Sequence, residues 1–260
     1  MLTITAAQVF RQLHYQPQPL LLPNVWDARS AAACQAAGFA ALGTSSAAIA
    51  SMLGYEDGEQ MPFAEMRYVV SRICASTTLP VTVDLEGGYS RSPEQIAAHV
   101  LELARLGVAG INLEDSVVSA AGRQLQPADT FADILRTVRA RCRQQQLDIF
   151  LNVRTDTFLL LITGQLAATQ QRLHHYEAAG ADGLFVPGLL KLADVKAVCE
   201  ATSLPVNVMA LPGLPEVAAL AAAGVRRISM GNFLFEAVAA RQLHLSQQLR
   251  QQQSLTALFA

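Results

Sequence analysis

The sequence predicts an α/β fold, a closed (β/α)8 barrel of the TIM type carried as one domain over residues 1–260. Three observations predict it. Short apolar runs alternate with longer helical patterns along the chain, the arrangement of parallel strands joined by helical crossovers. Four junctions, Ala37-Gly38-Phe39, Leu106-Gly107-Val108, Ala179-Gly180-Ala181 and Ala223-Gly224-Val225, put a glycine between a helix and the next strand, where a left-handed terminator is favoured. The strands then number eight, the count of a barrel whose chemistry lies on the loops after the strands.

In chain order, a leading helix is expected over 3–13, followed by a strand at Leu20–Leu22 that Pro23-Asn24 ends. A helix over 28–37, a strand over 40–43, a helix over 62–77 and a strand over 81–86 come next. The remaining strands are expected at 109–113, 149–153, 183–186, 206–209 and 227–230. A last helix over 233–252 absorbs the glutamine-rich stretch 247–253. An open doubly wound sheet is the competing architecture, but no Gly-x-Gly-x-x-Gly follows a strand.

Hydrophobic residues make up 52% of the chain, ample for a large core. The formal charge of −2, with arginines scattered along the chain, implies no nucleic-acid partner. No segment approaches 18 uninterrupted apolar residues and the N-terminus shows no basic region followed by an apolar run, so a cytoplasmic protein without a membrane association is expected. The cysteines Cys34, Cys74, Cys142 and Cys199 lack the paired spacing of a zinc site or a disulfide framework and are expected to be reduced.

The chemistry concentrates at the strand exits. In Val81-Thr82-Val83-Asp84-Leu85-Glu86, alternation of side chains puts Asp84 and Glu86 on one face, about 7 Å apart at the backbone. Two buried like charges need a cation or a hydrogen-bond network, and a divalent cation is one reading; capping of the next helix or pairing with an arginine is the other. Glu114-Asp115 ends the adjacent strand in the same way, so Asp84, Glu86 and Glu114 could share a magnesium ion, which prefers oxygen ligands. The other exits gather Trp26 and Asp27, Ser45 and Ser46, Asp57, and Asn152 with Arg154. Arg154 suits a substrate carboxylate in bidentate fashion, with an ion pair to Asp156 or Glu114 as the alternative. The two lysines, Lys191 and Lys196, fall in a helical stretch and none of the five histidines lies at an exit, so a Schiff base, a histidine base and a histidine zinc site are unexpected.

These exits carry Pro23-Asn24-Val25-Trp26-Asp27-Ala28, Gly43-Thr44-Ser45-Ser46, Leu53-Gly54-Tyr55-Glu56-Asp57-Gly58-Glu59, Asp84-x-Glu86-x-Gly88-Tyr89, Asn112-Leu113-Glu114-Asp115-Ser116, Asn152-x-Arg154-Thr155-Asp156 and Phe185-Val186-Pro187-Gly188. Taken together they make the chain resemble the isocitrate lyase and phosphoenolpyruvate mutase superfamily along nearly its whole length. The resemblance implies a barrel that binds Mg2+, or Mn2+, and a small 2-oxo or 2-hydroxy acid. It also implies that a carbon-carbon or carbon-phosphorus bond is made or broken through an enolate. Carried over by position, it assigns Ser45, Ser46 and Ala47 to the oxo-acid carboxylate and Asp57, Asp84, Glu86 and Glu114 to the surroundings of the metal. It places Arg154 on the substrate, with Asn152, Trp26 and Asp27 lining the pocket.

Isocitrate and methylisocitrate lyases carry a Lys-Lys/Arg-Cys-Gly-His lid, whereas the loop here runs Ser116-Val117-Val118-Ser119-Ala120-Ala121-Gly122-Arg123. The chain therefore reads as a divergent member without that lid, and Glu86 stands where most members have aspartate. Three functions remain open: a lyase-type enzyme with Asp57, Arg154 and Arg123 as catalytic candidates, a phosphate-ester isomerase using 211–213 and Gly231-Asn232, and a non-catalytic metal and oxo-acid binding protein of the same fold. Residues 116–126, rich in small side chains, are expected to form a mobile lid bearing Arg123. A homodimer or homotetramer is expected, with the last helix packed on, or exchanged with, a neighbouring subunit.

Overall fold

The computed structural model describes residues 4–259. Its elements, in order, are α1 (Ala6–Leu13), β1 (Leu20–Leu22), β2 (Asn24–Val25), α2 (Ala28–Ala36), β3 (Leu42–Thr44), α3 (Ser46–Leu53), α4 (Phe63–Ala75), β4 (Val81–Asp84), α5 (Pro93–Arg105) and β5 (Gly110–Glu114). There follow β6 (Ser116–Ser119), β7 (Gly122–Leu125), α6 (Ala128–Gln144), β8 (Phe150–Arg154), α7 (Gln165–Ala178), β9 (Gly183–Phe185), α8 (Leu192–Glu200), β10 (Val206–Met209), α9 (Val217–Ala222), β11 (Val225–Ser229) and α10 (Phe233–Gln252). Thr3, the expected start of the first helix, lies outside the described residues; the observed helix is capped by Thr5, whose side chain accepts from the Gln8 amide.

Nine parallel strands form one sheet in the order β1-β11-β10-β9-β8-β5-β4-β3-β2. Since β1 pairs with β11 and β2 with β3, the segment 20–25 closes the ring as a single stave interrupted at Pro23, which has no N–H to give to a ladder. Counted that way the barrel has the eight staves the sequence predicts. The four junction glycines, Gly38, Gly107, Gly180 and Gly224, all adopt positive φ, between 87° and 99°, as helix terminators do.

The helices form because apolar residues recur on one face. In α5, Ser92 caps the start, Pro93 sets the first turn, and Ile96, Ala97, Val100, Leu101 and Leu103 are buried against the barrel. In the neighbouring α6, Phe131, Ala132, Ile134, Leu135, Val138 and Cys142 do the same. A second, smaller core fills the inside of the barrel at its N-terminal end. There Phe10 of α1 packs with Leu20, Leu22, Ala41, Ala109 and Phe150, closing that mouth. Above it lies a polar layer. The Asn152 amide donates to Asn112 (2.9 Å) and Asn207 (3.2 Å), and the Arg227 guanidinium donates to Asn112 (3.3 Å). The other mouth, at the strand C-termini, is left for chemistry.

Three segments differ from expectation. The strand expected over 81–86 ends at Asp84, and α3, not expected, fills part of what reads as a long loop after β3. Residues 116–126 are not an irregular loop: β6 and β7 pair antiparallel as a hairpin, Ser116 opposite Leu125 and Val118 opposite Arg123. Their alternating Val-Val and Arg-x-Leu side chains suit an extended pair better than small-residue content suggests.

Candidate active site

The site is built where β3, β4, β5 and β8 end. Ser45 leaves β3 in an extended conformation and caps α3, its hydroxyl accepting from the Ala48 amide at 3.2 Å. The first-turn amides of Ser46 and Ala47 therefore open toward the mouth, the arrangement that binds anions at helix starts. The Ser46 hydroxyl reaches Asp84 Oδ2 at 2.9 Å and Asp57 Oδ1 at 3.5 Å, which ties this helix start to the acids. Asp84, the last residue of β4, is fixed by its own amide donating to Thr44 Oγ1 (3.0 Å), while its Oδ1 is buried without a hydrogen-bond partner.

Glu114 ends β5 and is only 2% exposed. Arg154 Nη1 lies 3.0 Å from its Oε2, and Arg123 Nη1 pairs with its Oε1, which is also 3.1 Å from Ser116 Oγ. Arg154 is held a second time by Asp156, whose two oxygens take Nε at 2.6 Å and Nη2 at 3.1 Å. Ser116 donates to Asp156 at 2.5 Å. Behind this, Asp115 accepts from Thr155 Oγ1, the Asp156 amide, Arg172 and Tyr176 Oη, all within 3.1 Å, and so anchors the turn after β8. Burial pushes the Glu114 carboxyl above its ordinary value against the pull of Arg154 and Arg123. Burial works against the Arg154 charge, but Glu114 and Asp156 more than offset it and hold the guanidinium charged.

Glu86 is placed differently from the expectation that it shares a strand face with Asp84. The chain turns at once after Asp84. Gly88 N–H bonds back to Leu85 O at 2.9 Å, and Glu86 adopts φ 50°, so alternation ends with Thr82 and Asp84. Its carboxylate accepts from the Glu59 amide (2.9 Å) and from Tyr89 Oη (3.1 Å). Burial, with the charges of Asp57, Asp84 and Glu114 added, pushes Glu86 up to about 8. Glu59 in turn accepts from the Tyr89 amide at 2.6 Å and from Arg91 at 2.7 Å, stapling 57–59 to the turn after β4.

The structure thus brings together Ser45, Ser46, Ala47, Asp57, Asp84, Glu86, Glu114, Arg123 and Arg154. Of the two readings of Arg154, the ion pair is the one observed, with Asp156 and Glu114. Arg123, expected as a lid group, points inward with its side chain 19% exposed. Asp27 caps α2, accepting from the Ser30 amide at 2.7 Å, and no hydrogen bond or ion pair among the described residues joins it to the acids. Trp26 packs edge-on to Phe235 of α10, with ring centroids 5.2 Å apart. Asn152 belongs to the asparagine layer beneath the site.

Asp156, Ser116 and Tyr89 have larger parts than the sequence suggests. The signal for Asp156 was its spacing, because Arg154-x-Asp156 leaves a strand end two residues apart. Arg227 gave less warning: it lies wholly inside the barrel below Asp84, with Nε and Nη1 unpartnered, and burial lowers it to about 9 against the opposing charge of Asp84.

In donor chemistry the site suits magnesium or manganese: hard carboxylate oxygens, two of them, Asp84 Oδ1 and Glu114 Oε2, buried without a hydrogen-bond partner. In arrangement, no three His, Cys, Asp or Glu side chains among the described residues converge on one point. The reason is visible in the contacts, since Glu114 and Glu86 are each held by groups other than a metal.

Comparison with known proteins agrees with this architecture. The sequence profile of the phosphoenolpyruvate phosphomutase family matches residues 10–250. An uncharacterized protein of Mycobacterium tuberculosis strain H37Rv is 36% identical over 228 residues, covering 88% of this chain and 83% of that protein. The oxaloacetate decarboxylase of Bradyrhizobium diazoefficiens is 30% identical over 203 residues, 74% of this chain and 66% of the enzyme. Among solved structures, a provisionally assigned phosphonomutase of Burkholderia cenocepacia J2315 superposes with TM-score 0.88 at 42% identity, covering 94% of this chain and 98% of the other. A 2,3-dimethylmalate lyase superposes at 0.85 with 26% identity, covering 96% and 88%. The chain belongs to the phosphoenolpyruvate phosphomutase family, within the superfamily shared with isocitrate lyase. It is an enzyme of the lyase and mutase type.

Proposed function

We propose that this enzyme makes or breaks a carbon-carbon or carbon-phosphorus bond next to the oxo group of a small 2-oxo or 2-hydroxy acid, with Mg2+ or Mn2+ as cofactor. One observation carries the reading: Ser46 Oγ links the anion-binding start of α3 to Asp84 and Asp57 in a single mouth. Asp84, Glu86 and Glu114, with Asp57 at the rim, are the residues that would hold the cation. When bound, it would withdraw electron density from the oxo group, so that charge left on the neighbouring carbon is carried as an enolate.

The chain's own groups do the rest. The amides of Ser46 and Ala47, with the Ser45 hydroxyl as cap, receive the carboxylate beside the oxo group. Arg154, held rigid by Asp156, presents a charged fork to the second anionic group of the acid. Asn152 and its asparagine layer form a polar floor. The hairpin β6–β7 carries Arg123 at the rim, a positive charge for the incoming anionic acid.

The names of the relatives make oxaloacetate the first compound to test, followed by phosphonopyruvate, dimethylmalate, isocitrate and methylisocitrate. With magnesium present, release of pyruvate or glyoxylate from one of these is expected, well above the rate with Asp84→Ala protein, a control that removes the metal ion's own background reaction. Calorimetry should show that Asp84→Ala binds magnesium at least tenfold more weakly than the parent, as loss of a charged ligand implies. Equal affinity in the two proteins would sink the metal assignment, and no turnover of any of the five acids would sink the substrate class.

A further inference from the structure

We propose that Arg123 is an internal cation standing where the metal ion acts on Glu114, so that metal loading and hairpin docking exclude each other. The inference rests on the reading of Glu114 as a metal ligand and concerns how that ligand is released.

Both oxygens of Glu114 face guanidinium groups: Oε1 accepts from Arg123, and Oε2 lies 3.0 Å from Arg154 Nη1 as an ion pair without a hydrogen bond. Meanwhile Asp84 Oδ1, buried in the same mouth, has no partner. A divalent cation cannot use Glu114 while both arginines stay, because two positive groups sharing one carboxylate with a +2 ion repel it at short range. One arginine must leave, and the two are not equally held. Arg154 belongs to a central stave of the barrel and makes two further bonds to Asp156, which is wholly buried.

Arg123 belongs to β7, one strand of a two-stranded unit outside the barrel. The tip of that hairpin, 119–122, is exposed. Its inner attachments are mostly side-chain contacts at the rim. Ser116 reaches Asp156, Arg123 Nη1 meets Ser116 Oγ at 3.0 Å and Asp156 Oδ2 at 3.4 Å, the Gln126 amide bonds to Asp115 O at 2.8 Å, Arg123 Nη2 lies 3.9 Å from Asp57, and Val118 rests against Gly58. Arg123 is therefore the group that yields. Its departure frees Glu114 and Asp57 together and loosens Val118 from Gly58. It also leaves a guanidinium at the rim, ready to meet an anionic substrate arriving after the metal.

Titration calorimetry with magnesium chloride and manganese chloride on the parent, Arg123→Ala and Asp84→Ala proteins tests this, together with hydrogen exchange over 116–125 in the parent with and without magnesium. Arg123→Ala should bind either metal about tenfold tighter than the parent, the worth of one charge-assisted contact no longer displaced. Exchange in the parent hairpin should quicken when magnesium is added, a readout that needs neither a substrate nor a variant. Arg123→Ala binding no tighter than the parent, while Asp84→Ala loses affinity, would overturn the exchange and leave the metal site standing. Slower or unchanged exchange in the magnesium-loaded hairpin would do the same. Failure of parent and Arg123→Ala alike to bind either metal would overturn the metal reading, and this inference with it.

Discussion

His14, the C-terminal cap of α1, shows how burial at one residue sets a property of the whole protein. Its Nδ1 bonds to Phe10 O at 2.8 Å, its ring stacks on Phe150 at 4.4 Å, and its Nε2 is buried without a partner. Burial, helped by the charge of Arg227, lowers it from 6.5 to about 3. The folded chain therefore binds fewer protons at this site than the unfolded chain between those two values. The His14 contribution to stability is whole above about pH 6.5 and falls as pH drops toward 3, by about 1.4 kcal/mol per unit, while the raised carboxyl of Glu86 works in the opposite direction between about 8 and 4.5. We predict that the urea midpoint of the parent falls relative to that of His14→Phe, which keeps the stacking and cannot titrate, as pH drops across this window. Parallel profiles would remove His14 from the acid limb. At this scale the sequence was partly legible. Asp84 and Glu114 stood out because each ends an apolar run, and Asp27 could be read as a cap from Asp27-x-x-Ser30. The bonds that decide orientation could not be read. The Glu59 amide turns Glu86 aside through a long-range contact that no spacing along the chain reveals, while Tyr89 on Glu86 and Asp156 on Arg154 act from nearby positions whose side-chain directions the sequence does not give.

Among the elements, α1 is the one whose removal has the clearest consequence. Phe10 is fully buried in the barrel's N-terminal mouth, edge-on to Phe150 at 5.5 Å, with the Arg227 guanidinium 5.7 Å from its ring. Truncation leaves a void between residues fixed on separate strands, which cannot close in. Phe10→Ala should therefore cost about 3–5 kcal/mol in denaturant unfolding, the range for large aromatic cavities. A loss below about 1 kcal/mol would mean that α1 is a loose appendage and not part of the core. Strand existence was legible here because each stave is a short apolar run behind a glycine or proline. Strand ends were not, since the turn after Asp84 is decided by Gly88 and by hydrogen bonds of Glu86. The unexpected α3 did leave a signature, Ser45 before Ser46-Ala47-Ala48-Ile49 and Gly54 at φ 83° after Leu53, but its small residues hid the helical period.

At the scale of the whole molecule, ring closure through 20–25 leaves one long element without a core to serve. None of the twenty residues of α10 is buried, and Phe233, Val238 and Leu243 are exposed, as are Leu255, Leu258 and Phe259 beyond it. Beside it runs an apolar groove of about 560 Å³ lined by Trp26, Ala33, Phe39, Leu234 and Val238. A helix this long with apolar side chains in water is maintained by packing, not by propensity. The alternation of strands and helices announced the barrel because local pattern determines it. A helix whose apolar face is left uncovered by its own chain is not announced by that pattern. A homodimer or homotetramer is the state expected of the enzyme, with α10 of each subunit covering apolar surface on its neighbour. Light scattering at micromolar concentration should give twice or four times the mass of one chain, and a double substitution, Val238→Glu with Leu243→Glu, should shift the population toward monomer and lower thermal stability. A monomeric mass for the parent protein would leave α10 without its proposed partner.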